Sequence, residues 1–130
     1  LFRYARWGFL PAALLTALAF GSLHLYQGHD LASALTAFGV TALGSIFFSW
    51  LYVEWNYNLW SVIWLHTLMN LPWIVFRVST SGAVGDTGAN ALRLCTIILA
   101  VGLTVAYKRK RGLPYRIQIN TLITNKIQNA

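Results

Sequence analysis

Charge is what this sequence has least of. Only 10% of its 130 residues are Asp, Glu, Lys or Arg, against roughly 25% in a soluble domain. A chain that keeps itself in water by a charged surface is thereby excluded. Acids are scarcest: there are three, Asp30, Glu54 and Asp86, against ten Lys plus Arg. Cysteine is limited to Cys95, so no internal disulfide forms. Cys95 lies in an apolar run and reads as a small packing residue. There is no initiator methionine and no secretory signal pattern; the chain starts mid-pattern with LFRYAR, and part of the protein is expected upstream of it.

Apolar residues are abundant. They make up 57% of the chain, aromatics make up 15%, and the mean hydropathy is +0.55. The formal net charge of +7 raises the question of nucleic acid, but its placement answers it. Lys108, Arg109, Lys110 and Arg111 follow directly on the last apolar run, where the positive-inside rule puts them. No nucleic-acid partner is expected.

Apolar runs divide the chain into four predicted spans. The first covers Pro11 to Tyr26, with Pro11 suited to a first helical turn. The second covers Leu31 to Val53, and its many small residues suit close helix contact in lipid. The third covers Asn58 to Val78, about twenty residues long and almost wholly apolar, as a spanning helix requires. Pro72 should kink it. The fourth covers Ala91 to Tyr107, with Arg93 snorkelling near its start. The expected fold is all-α, a polytopic transmembrane helix bundle with four spans. Residues 1–111 form its core and 112–130 a polar tail outside the bilayer. An even number of spans puts both termini on one side, and the basic residues make that side cytoplasmic.

His66 and Asn70 lie in the middle of the third span, one turn apart on one face. Lipid offers neither an imidazole nor a carboxamide a partner, so both are functional candidates. His24 closes the first span, which runs in the same direction as the third, so the two are expected to pack side by side. Their naive depths differ: His24 lies ~20 Å into its span and His66 ~12 Å into its own. Glu54 reads as interfacial, and His29 lies in a turn beside Asp30. Imidazoles with a carboxamide either ligate a metal or serve as base and oxyanion donors around a water. No carboxylate is well placed to take that water's proton. Two other readings follow from the same residues. One is a haem held by His24 and His66 as axial ligands. The other is a non-catalytic scaffold or immunity protein in which polar bonds only hold helices together.

Phe20-Gly-Ser-Leu-His24 and His66-Thr-Leu-Met-Asn70 are similar to the second and third motifs of the CPBP intramembrane proteases, the family of CAAX proteases, bacteriocin-processing enzymes and abortive-infection proteins. That family's first motif is Glu-Glu-x-x-x-Arg. Leu1-Phe2-Arg3 resembles its end, which would put the catalytic glutamates just upstream of Leu1 and make this chain a fragment inactive alone. The resemblance implies an endopeptidase of a membrane, here a bacterial cytoplasmic membrane, acting on membrane-associated, prenylated CAAX-type or bacteriocin-like peptides. It implies a glutamate that activates water, His24 holding that water, and Arg3 pairing with a glutamate. Its implied metal set is His24, His66 and Asn70, with zinc or another divalent cation. A metal-free, glutamate-driven mechanism is the other option, since zinc usually takes three strong ligands plus water.

Overall fold

The computed structural model describes residues 1–76 and 84–125, with side chains for 1–71 and 84–125. Four helices follow in order: α1 (Phe9–Ser22), α2 (Leu31–Glu54), α3 (Leu59–Phe76) and α4 (Thr87–Arg111), with short 3-10 turns at Leu25–Gln27 and Ile119–Thr121. Three segments are long and apolar enough to cross a membrane: Phe9–Gln27, Leu31–Glu54 and Thr87–Arg111. The third predicted span is a helix that continues past Pro72 to Phe76. The end of that span and the first part of the turn-rich stretch after it, 77–83, lie outside the described residues. The all-helical bundle read from the apolar runs is what the chain forms, with no strand among the described residues beyond one isolated bridge.

Helix ends follow local chemistry. α2 starts at a reciprocal cap: the Asp30 carboxylate accepts the Ser33 backbone N–H at 2.8 Å, and the Ser33 hydroxyl accepts the Asp30 N–H at 3.1 Å. Asp86 caps α4 by accepting from the Ala89 N–H at 2.8 Å. α4 ends at Gly112, in the left-handed conformation with φ 62°, the stop that glycine permits. The helix therefore carries Lys108 to Arg111 inside its last turn, where cations suit the dipole. This extends it beyond the predicted end at Tyr107.

The Asp30 cap makes a prediction. The N–H and hydroxyl of Ser33, in that order, hold the Asp30 carboxyl below its usual range. A depressed carboxyl stabilises the fold above the unfolded carboxylate range, and that contribution is lost as pH falls through the folded-state value. Asp30→Ala should therefore lower the melting temperature at neutral pH. The gap from the wild type should close in acid, read by thermal melts in detergent across pH.

α1 packs chiefly on α2. A Cβ at Gly21 would lie 2.9 Å from the Phe38 ring and 3.1 Å from its carbonyl, so the two helices touch almost backbone to ring. Ala37 is fully buried, yet Gly39 and Gly44 face open space. Only part of the small-residue run of α2 is thus a packing surface. Cys95, read as a packing residue, is instead exposed on α4.

The densest packing is at the basic end. Phe2, Phe9, Ala12, Ala13 and Val53 form one buried cluster, with Trp50, Tyr57, Ile117 and Leu122 against it. The segment after α4 is the stretch read as a polar tail. It turns back and clasps the start of the chain. Trp7 and Thr124 form an antiparallel bridge. Gly8 and Leu10 N–H groups donate to the Ile123 and Leu122 carbonyls, each at 2.9 Å. The Asn125 side chain donates to the Phe2 carbonyl at 2.9 Å. A Cβ at Gly8 would lie 2.1 Å from the Ile123 backbone, so only glycine admits this approach.

Glu54 holds the strap in place. It is buried within the last turn of α2. It pairs with Lys108 at 2.5 Å and accepts the Arg116 and Ile117 N–H groups at 3.2 and 2.9 Å. Lys108 also donates to the Pro114 carbonyl at 2.9 Å. Every strong donor around this buried carboxylate is thus used, which is the condition for a buried charge to persist.

Candidate active site

α1 ends at Ser22, two residues before His24. The last turn tightens, with the His24 N–H donating to the Gly21 carbonyl at 2.9 Å. The imidazole folds back: Nδ1 donates to the Phe20 carbonyl at 2.7 Å, and its ring lies 4.6 Å from the Phe20 ring. The i to i+4 spacing of Phe20 and His24 therefore has a definite physical outcome. A carbonyl accepts only, so Nδ1 carries a proton, and in the neutral ring the lone pair of Nε2 is left as an acceptor. His24 is half-buried.

His66 sits on α3 with its ring edge-on to Phe48 of α2, centroids 5.3 Å apart. Asn70 Nδ2 donates to His66 Nε2 at 2.9 Å. An acceptor at Nε2 again requires the proton on Nδ1, so His66 presents Nδ1–H as a donor. The two imidazoles thus show opposite faces: His24 an acceptor at Nε2, His66 a donor at Nδ1.

His24 lies close enough to His66 to influence it electrostatically, but no hydrogen bond joins them. Along α2, Gly21 of α1 meets Phe38 and His66 of α3 lies against Phe48. The expected α1–α3 pairing is replaced by packing of both helices against α2, with His66 resting on α2 itself.

Arg3 is not with the histidines. Its guanidinium lies 5.0 Å from the rings of Tyr4 and Tyr57, at the start of α1. His24 lies past the far end of that helix, ~20 Å away along the axis. His29 is exposed, and its described bond is from its backbone N–H to the Ser33 hydroxyl, so it serves the α2 cap. None of the three carboxylates reaches either imidazole: Asp30 and Asp86 cap helices, and Glu54 holds Lys108. Sequence reading missed Phe48, the floor under His66, because no local spacing links α2 to α3.

The donors fall short of a zinc set. They are two imidazoles and a carboxamide, and the Nε2 of His66 is engaged by Asn70. No group of three His, Cys, Asp or Glu that could hold a metal occurs among the described residues.

A family model described as Type II CAAX prenyl endopeptidase, Rce1-like, matches residues 1–72. The chain belongs to that family. The match takes in both histidines and Asn70 and stops just beyond the last of them. Membership of the Rce1-like family makes this a protease-family chain of a membrane, in keeping with its apolar helices. No curated protein and no solved structure gives a match.

Proposed function

We infer that this Rce1-like chain supplies the imidazole and carboxamide part of an endopeptidase that cleaves prenylated CAAX-type or other membrane-associated peptides. The observation that carries the reading is the pair of fixed tautomers. Asn70 donates to His66 Nε2 and the Phe20 carbonyl takes the His24 Nδ1 proton, so one ring offers an acceptor and the other a donor. Peptide hydrolysis needs both. The attacking water must be held by an acceptor, and the oxygen of the scissile carbonyl gains negative charge that a placed donor stabilises. His24 Nε2 holds the water, and His66 Nδ1–H meets the developing oxyanion. Asn70 is a positioning residue, because it selects the His66 tautomer. The carboxylate that takes the water's proton is the glutamate of the family's first motif, which none of Asp30, Glu54 and Asp86 replaces. No step runs through a metal, since the donors present do not complete a zinc site. The basic end faces the cytoplasm, as the clustering of Lys and Arg there favours.

Cleavage of a farnesylated CAAX peptide by the full-length enzyme in membranes tests this. His24→Ala should lower kcat by about 10²-fold or more. Asn70→Ala should cost about tenfold, because it frees the tautomer without removing the donor; Asn70→Gln should not restore the rate, its amide being one methylene displaced. Unchanged kcat in His24→Ala, with expression and helix content retained, would defeat the assignment.

A further inference from the structure

Among the described residues, the basic end of the bundle is short of anions. Asp30 and Asp86 sit at the starts of α2 and α4, the opposite end from Glu54, and both are occupied as caps. Glu54 is the one carboxylate among the described residues at the basic end, and Lys108 takes it. Arg3 and Arg116 lie beside the same aromatic ring, 5.0 and 5.2 Å from the centre of Tyr57. Both side chains are exposed. Arg116 donates to the Asn56 side-chain oxygen, a neutral acceptor that leaves its charge uncompensated. Two guanidiniums that share one ring, with no carboxylate between them among the described residues, call for an anion from outside.

Beneath them is a cavity of about 290 Å³ between the start of α1 and the end of α2. Its mouth carries Arg3 and Tyr4. Its lining also includes Phe2, Phe9, Ala13, Val53, Thr16 and Ser49, the last two with hydroxyls 3.5 Å apart. An apolar slot under a cationic, aromatic rim, at the level where interfacial aromatics sit, has the chemistry of a bound amphiphile with a negative head.

We propose that this cavity is a site for an anionic phospholipid, with an acyl chain between α1 and α2 and the phosphate at Arg3 and Arg116. Each cation near an anionic headgroup contributes enough for the pair to discriminate about 10- to 30-fold against a zwitterionic lipid. The site is separate from His24 and His66, and its occupancy is read without any cleavage.

The test uses the full chain, delipidated in detergent and titrated by native mass spectrometry. The probes are phosphatidylglycerol and phosphatidylcholine bearing the same acyl chains. Phosphatidylglycerol should bind at least tenfold tighter. The double variant Arg3→Gln with Arg116→Gln should erase that preference while both lipids still bind. Ala13→Phe, which fills the cavity, should weaken both lipids; Ser49→Leu fills it from the other helix and should do the same if Ala13→Phe fails to fold. Equal affinity for the two lipids overturns the site. So does a preference that survives loss of both arginines, or undiminished phosphatidylglycerol binding by a folded cavity-filled variant.

Discussion

His66→Ala is expected to lower the rate of CAAX-peptide cleavage about 10²- to 10⁴-fold, the range for losing a positioned proton donor and oxyanion partner together. The loss should fall on kcat, because the donor meets charge that exists only in the transition state. Stability should change little. His66 is exposed on α3, and its packing is one edge-on contact with Phe48. Removing it also frees the Asn70 carboxamide, which stays on the same exposed face. His66→Gln is the informative companion. It keeps an N–H donor and about the same reach, so it should recover part of the rate if donation to an oxyanion is the role. If His66 accepts a proton instead, the glutamine variant should be as slow as alanine. Circular dichroism and detergent melts on the same preparations separate lost chemistry from lost fold.

The second large effect is on stability. Lys108→Ala should destabilise the protein by about 3–5 kcal/mol, the cost of leaving a buried charge without its partner. Glu54 would keep two backbone N–H donors but lose the cation, and the Pro114 carbonyl would lose its donor. The double variant Glu54→Leu with Lys108→Leu removes both charges and should recover much of the loss, since apolar replacement of a whole buried pair is often close to neutral. Recovery should be incomplete, because the Arg116 and Ile117 N–H groups would still lack acceptors. A Lys108→Ala melting temperature equal to that of the wild type would show that the pair adds nothing to the fold.

The helices and the chemistry were readable for one shared reason: both are local. Long apolar runs announce spans, and i to i+4 spacing places His66 with Asn70 and Phe20 with His24 whatever surrounds them. The distances 2.9 and 2.7 Å are what that spacing delivers. What joins distant parts of the chain was not readable. Nothing near Glu54 names Lys108 as its partner, and nothing near His66 names Phe48. The distance of Arg3 from the histidines was not readable either, because motif order carries no depth. The polarity of the tail gave no sign of its clasp on the start of the chain: Ile117 packs on the buried cluster, while Ile119 is exposed at the start of a 3-10 turn.

The strap closes the chain into a loop, since Trp7 and Gly8 are held by Thr124 and Ile123. During synthesis those partners follow all four helices out of the ribosome. The lead-in to α1 therefore has no docking site until α4 and the strap have emerged, and it settles after the helices that it precedes.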